Sequence, residues 1–276
     1  MGPAQVILVT AGSAGLGAAV ARLFSRQGYR VVINYNTDSV RAEALIAELS
    51  AQRAEVAEVG EEKTTSRYVS IQADMSSAPE IQRLVRETYA AMGRIDVVVS
   101  NGGWTKVRDT TSIDDNVFEE DWDRAFNMNV KSHLWLLEAS KRYLEETEGA
   151  FITTASLAGV SGVGSSLAYG TTKAAQIHMV KGLACMVAPK IRVNSVSPGL
   201  LQTVRKDIQF LMKKGKLIVK KNWATRFTAE QKEAHRQGTK LKRFVDVDDV
   251  AEQVLGLAKS KSMTGTNIIV DAGYML

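Results

Sequence analysis

The sequence predicts an α/β fold of the Rossmann type, a doubly wound sheet of about seven parallel strands with helices on both faces. Three observations predict it. Short β-rich apolar runs alternate with helix-period segments along the whole chain. The first run is followed at once by the glycine-rich stretch AGSAGLG and an amphipathic helix. The runs are apolar throughout rather than alternating, as expected of strands buried on both faces.

The elements follow in order. QVILVT (Gln5 to Thr10) is the first strand; Gly12, Gly15 and Gly17 form the turn; and Leu16, Val20, Leu23 and Phe24 share one side of the helix after it. Strand, glycine turn and helix together make a phosphate-binding arrangement. The glycines let backbone approach a pyrophosphate, and the helix start offers free N–H groups and a partial positive charge. YRVVINYN is the second strand. Its C-terminal end, at Tyr35 or Asn36, is the place where an acidic side chain would bond a ribose 2′-hydroxyl and repel a 2′-phosphate. Both residues are neutral, which favours NADP(H) as cofactor and leaves NAD(H) open; Arg41 and Lys63 are the nearest cations, and Asp38 is close by.

A helix is expected over 38–53, and the polar stretch to Arg67 reads as a loop or helix extension. The third strand ends in Asp74, which either accepts from an adenine amino group or serves as a turn residue. Ser77 and Glu80 have capping-box spacing. IDVVVS is the fourth strand, followed by Asn101, Gly102 and Gly103, where glycines permit close approach of a flat ring. After a long polar loop from Trp104, one helix is expected from Asp121 to Leu144. It carries Asn129 in mid-course, either tolerated by packing or there to hold a water that relays protons to Lys173. GAFITTAS is a buried strand ending in Ser156. The next helix places Tyr169 and Lys173 four residues apart on one face, where the ammonium should make the phenol easier to deprotonate. Pro198 should stop the sixth strand and turn the chain outward. The segment at about 204–244, with two expected short helices and Trp223, reads as a substrate lid, and VDDVAEQVLGLAK and NIIVDAG complete a single domain over 1–276.

Composition sets the limits. With 276 residues and 45% apolar content the chain can bury one sizeable core. No apolar run approaches the ~20 residues of a membrane span, and the N-terminus shows no signal-peptide pattern, so a cytoplasmic location and no membrane partner are expected. Cys185 is the single cysteine and is expected to be buried; His133, His178 and His235 have no metal-ligand spacing. Between Arg205 and Arg243 thirteen basic residues face three acidic ones, so the rest of a +5 chain is net acidic. That segment reads as a solvated flap, or alternatively as an attractor of an anionic substrate. No nucleic-acid-binding module is present.

These residues resemble the classical short-chain dehydrogenase/reductase family from Thr10 to Gly273. TAGSAGLG stands for the family's TGxxxGxG, SNGG loosely for NNAG, Tyr169 to Lys173 for YxxxK, and Ser156 for the serine thirteen residues earlier. Asn129 matches the helix asparagine, and Pro198 and Gly199 the PG turn. Ala11 replaces the first glycine, Ser100 and Gly102 depart from the fourth-strand motif, and DAG stands where DGG is usual. The resemblance implies hydride transfer between a nicotinamide and a ketone or secondary alcohol. Ser156, Tyr169, Lys173 and Asn129 would be catalytic, and no metal would be used. It implies cofactor contacts from Gly12, Ser13, Gly15, Leu16, Gly17, Asn36, Asp74, Asn101, Gly102, Tyr169, Lys173, Pro198, Gly199, Leu201 and Thr203. A homodimer or homotetramer is implied. The alternatives are a non-catalytic cofactor-binding regulator, and a dehydratase or epimerase of the same fold.

Overall fold

The computed structural model describes residues 3–56, 66–162, 164–201, 211–213, 216–218 and 228–276. Its centre is a seven-stranded sheet in the order β3-β2-β1-β4-β5-β6-β9, and every pairing in it is parallel. The strands are β1 (Val6–Val9), β2 (Arg30–Tyr35), β3 (Tyr68–Gln72), β4 (Val97–Ser100), β5 (Ala150–Thr154), β6 (Arg192–Pro198) and β9 (Asn267–Val270). Strand order reverses between β1 and β4, so the ends of these two strands open the crevice where ligands bind in such sheets.

Strand periodicity divides the core. Ile7 and Val9 of β1 point to one face and pack with Val20 and Phe24 of α1 (Gly15–Arg26), Leu45 of α2 (Ser39–Val56) and Val254 of α8 (Val247–Lys259). Val6 and Leu8 point to the other and pack with Leu84 of α3 (Ala78–Met92), Leu136 of α5 (Ser132–Thr147) and Val180 of α6 (Leu167–Val187). All four β1 side chains are fully buried because each face has its own helical cover.

Four expectations are corrected. The helix expected over 121–144 is broken: α4 (Glu119–Phe126) passes into a π turn at Asn127–Lys131 before α5 begins. A π turn inserts one extra residue, and here it carries Asn129 into the interior. The capping box before α3 is half formed. Ser77 Oγ accepts from Glu80 N, but the Glu80 carboxylate reaches Asp74 N at 2.7 Å instead of closing on Ser77. Strand β6 runs through Pro198, which still pairs with Val270; a proline with no N–H to give is tolerated at the last rung. Within the expected lid, among the described residues, β7 (Leu211–Lys213) pairs antiparallel with β8 (Lys216–Ile218), and α7 (Ala229–Gly238) is a short helix. Trp223 lies outside the described residues. Cys185 is exposed, because α6 buries Leu183, Ala184 and Val187 and leaves Cys185 on its outer side.

Both alanines that stand where the family has glycine adopt left-handed backbone, Ala11 at φ 47° and Ala272 at φ 54°. A Cβ in that region meets its own carbonyl, so each alanine is strained. Ala11→Gly and Ala272→Gly are each expected to stabilise the protein by about 1 kcal/mol, or roughly 2–4 °C in Tm. Thermal unfolding of the two variants beside the parent checks this, and an unchanged or lowered Tm in both would refute it.

Candidate active site

The loop after β1 is held by a residue the sequence reading passed over. Asn34, fully buried on β2, accepts from Ala11 N through Oδ1 at 3.1 Å, and its amide donates to Ala73 O at 3.0 Å. It ties the β1 turn to the ends of β2 and β3. Gly12 and Gly17 allow close packing here: a Cβ on Gly12 would stand 2.8 Å from Ile33 Cβ, and one on Gly17 2.5 Å from Ala11 O. Gly15 takes φ 53° to start α1. The N-terminus of α1 has no side-chain cap and no acidic residue in its first turn, so its free N–H groups remain open for an anion. Ser13 lies half-buried in the same turn.

Asn36 is exposed beyond β2, and Arg41, one of the two cations expected near it, is paired with Asp38 at 3.0 Å. At the end of β3, Asp74 Oδ1 accepts from Ser76 N and Ser76 Oγ, both at 2.8 Å. Asn101 cross-links the strand ends, its amide donating to Thr10 O and its Oδ1 accepting from Thr154 Oγ1 at 3.1 Å. Gly102 is buried and its N–H donates to Thr10 Oγ1, so Gly103 and not Gly102 reaches the open space. A Cβ on Gly103 would come 3.3 Å from Asn129 Oδ1 and 3.6 Å from Lys173 Nζ.

That open space is a cleft of about 600 Å³ above the C-terminal ends of β1, β4, β5 and β6. Of the residues singled out in the sequence, the fold brings Leu16, Asn101, Ser156, Tyr169, Lys173, Pro198, Gly199 and Leu201 to its wall. Thr203 lies outside the described residues.

Ser156 follows β5 and caps a short 3-10 turn, its Oγ accepting from Ala158 N at 3.2 Å. This turn lies directly on α6, and Gly159 makes the approach possible: a Cβ there would stand 2.6 Å from Lys173 C. Ser166 caps α6 by accepting from Tyr169 N. The two local structures bring the Tyr169 hydroxyl into a hydrogen bond with Ser156. Burial pushes the Tyr169 phenol above its ordinary range, and Ser156 pulls it partly back.

Lys173 does not act on the phenol as expected. Its Nζ lies 5.9 Å from the centre of the Tyr169 ring and donates to Thr154 O at 2.8 Å and to Gln176 Oε1 at 2.9 Å. Burial lowers the lysine to about 7, and Ser156 rather than Lys173 is the group that favours the phenolate. Behind it sits His133, fully buried with Nδ1 2.6 Å from Ser100 Oγ; burial, and next the charge of Lys173, push it well below the ordinary imidazole range.

Asn129 braces the site. Its Oδ1 accepts from Trp104 N at 2.8 Å, and its amide donates to Trp104 O at 2.9 Å and to Thr172 Oγ1 at 3.0 Å. Both amide protons are therefore engaged, and a water could be held only by the remaining lone pair of Oδ1 or by the main chain. Thr154, Gln176, His235 and Tyr274 were not among the expected site residues. His235, on α7, is stacked on Tyr274 at 4.6 Å between ring centres and, with Gln231 and Ala234, forms the outer wall of the cleft. A lone histidine in a basic segment carries no sequence signal of this.

Among the described residues no group of three or more acidic, histidine or cysteine side chains could hold a metal ion, and no helix is long and apolar enough to cross a membrane.

Comparison with known proteins agrees with this arrangement. The chain matches a family model described as enoyl-(acyl carrier protein) reductase over residues 10–275. It is 33% identical over 202 residues to a 3-oxoacyl-[acyl-carrier-protein] reductase of Synechocystis, covering 72% of this chain and 75% of that one. It is 30% identical over 200 residues to a hydroxynaphthalene reductase-like protein of Metarhizium guizhouense, covering 72% and 69% of the two chains. The crystal structure of a short-chain dehydrogenase from Burkholderia cenocepacia in complex with NADP superposes with a TM-score of 0.80, at 27% identity over 99% of both chains. A parallel sheet with this strand order, a serine and a tyrosine joined at the mouth of the crevice, and a family model matched over nearly the whole length place the protein in the classical short-chain dehydrogenase/reductase family.

Proposed function

We propose that this protein is an NADP(H)-dependent reductase of ketones, working reversibly on the corresponding secondary alcohols. The observation that carries the reading is the Tyr169 hydroxyl, hydrogen-bonded to Ser156 at the wall of a cleft that also reaches Lys173 and the start of α1. The uncapped N-terminus of α1, with Gly15 in left-handed backbone beside it, suits a pyrophosphate, so the residues present fit a dinucleotide. When bound, the reduced nicotinamide would supply the hydride that reduces the carbonyl carbon.

The chain's own residues supply the proton and its position. A phenol raised above its ordinary range is protonated at neutral pH and can donate to the carbonyl oxygen as negative charge develops there. Ser156 holds the same oxygen by a second hydrogen bond. Lys173, charged for part of the time at neutral pH, places positive potential under the cleft floor. The 204–244 segment is read as a lid, and α7, the part of it among the described residues that brings His235 to the cleft, supports that reading. Relatives named for 3-oxoacyl and hydroxynaphthalene reduction favour a ketone attached to a carrier or an aromatic ring system. Leu134 on α5 and Met186 on α6 are exposed apolar side chains, which favours assembly of further copies along these helices.

The test follows NADPH absorbance with 3-oxoacyl thioesters, aromatic ketones and enoyl thioesters. Consumption with ketones supports the reading; consumption with enoyl thioesters alone, or with none, ends it. Cofactor choice has its own test. Asn36→Asp puts a carboxylate where a 2′-phosphate would lie, and the NADPH over NADH preference in kcat/KM is expected to fall at least about tenfold. An unchanged ratio would remove Asn36 from the cofactor site.

A further inference from the structure

Behind the cleft wall, beside Lys173, lies a buried polar residue that the reaction just described leaves without a task. Gln176 stands three residues after Lys173 on α6, has no exposed surface, and lies where the inward side of the helix otherwise carries Ala168, Thr172, Val180 and Leu183. An amide in such a place is costly unless it is paired. It is paired, and in a closed set of three. Lys173 Nζ donates to Thr154 O at 2.8 Å and to Gln176 Oε1 at 2.9 Å, while Gln176 Nε2 donates to the same Thr154 O at 3.2 Å.

This set fixes which way the amide points. Turned over, its NH₂ would face the ammonium and its oxygen would face the Thr154 carbonyl, two repulsions in place of two hydrogen bonds. Two of the three ammonium protons are thereby engaged. Gly103 keeps the adjoining space open, since a Cβ on it would come 3.6 Å from Nζ.

We propose that Gln176 is a positioning residue for Lys173: its side-chain oxygen holds the ammonium at the end of β5 and favours its charged form. A hydrogen bond to a charged group is stronger than one between neutral groups, and this one offsets part of the burial that draws Lys173 towards its neutral state. Among the described residues the titratable groups facing it are Tyr169 on α6 and His133 on α5, and no carboxylate among them contributes to its charge balance. Gln176 is therefore the side chain best placed to set that balance. The placement stands on the geometry alone; its consequence for turnover rests on the reductase reading above.

The experiment titrates lysines carrying ¹³C at Cε by NMR in the ligand-free full-length protein. The Lys173 signal is identified by its loss in Lys173→Met. In the parent chain it is expected to titrate at about 7, well apart from surface lysines. Gln176→Leu, which removes the acceptor, should lower the midpoint by about one to two pH units, and Gln176→Glu, which keeps the shape and adds a charge, should raise it by at least about one. If Gln176→Leu does not fold, Gln176→Glu carries the test alone. Midpoints that stay at the parent value overturn the proposal. The alkaline limb of the pH profile of kcat for NADPH-dependent ketone reduction should move in the same direction as each midpoint. A midpoint that moves while that limb stays in place upholds the positioning role and counts against the part given to Lys173 in the reductase reading.

Discussion

Tyr169→Phe is expected to lower kcat for ketone reduction by roughly 10³-fold, with the affinity for NADPH changed less than about threefold. Phenylalanine keeps the ring, and so the packing at the start of α6, and removes only the hydroxyl that meets Ser156. Among the described residues, three other proton-bearing side chains at the cleft wall are poorly placed to replace it. The serine has the ordinary acidity of an alcohol, Lys173 is turned towards Thr154 and Gln176, and His235 stands on the outer wall stacked on Tyr274. Single-turnover kinetics with fluorescence titration of NADPH separate the chemical step from binding. If turnover persists near the parent rate, the phenol is not the donor and the proposed mechanism is wrong.

Lys173→Met is expected to cost at least about a hundredfold in kcat and to leave a distinctive mark on stability. In the folded protein Lys173 loses its proton at about 7, against 10.5 for a free lysine. Below pH 7 both folded and unfolded chains hold the proton, and the folded state bears the whole cost of a buried ammonium. Between pH 7 and 10.5 the unfolded chain binds the extra proton and the folded one does not, so this group makes the parent more stable as pH rises. The stability of the parent relative to Lys173→Met should therefore climb by up to about 1.4 kcal/mol per pH unit across that window. Urea unfolding of both proteins from pH 6 to 10 measures it. A difference that is flat with pH would mean that Lys173 titrates as an exposed lysine does.

Much of the fold was legible because its signals are local. The apolar run VILV, the glycine turn after it and the Leu16, Val20 and Phe24 side of α1 are set by residues a few positions apart, and α8 lies where its period put it. The spacing from Tyr169 to Lys173 likewise fixes that both share a face of α6. What that face meets is a different matter. Asn129 read as a poor helix former, and only the π turn and Trp104 explain it. Cys185, in an apolar stretch, read as buried and lies outside, because hydrophobic content does not say which side of a helix is covered. Asp74 left two roles open, and the turn at Ser76 took one carboxylate oxygen.

By itself the sequence determined the layer architecture, the position of the phosphate-binding turn and the presence of a serine, a tyrosine and a lysine in family order, because each depends on periodicity or short spacing. The tertiary structure alone decided where the ammonium of Lys173 points. Its partners, Thr154 on β5 and Gln176 one helical turn on, meet only when α6 packs across the sheet end, and no spacing along the chain encodes the burial that sets its charge.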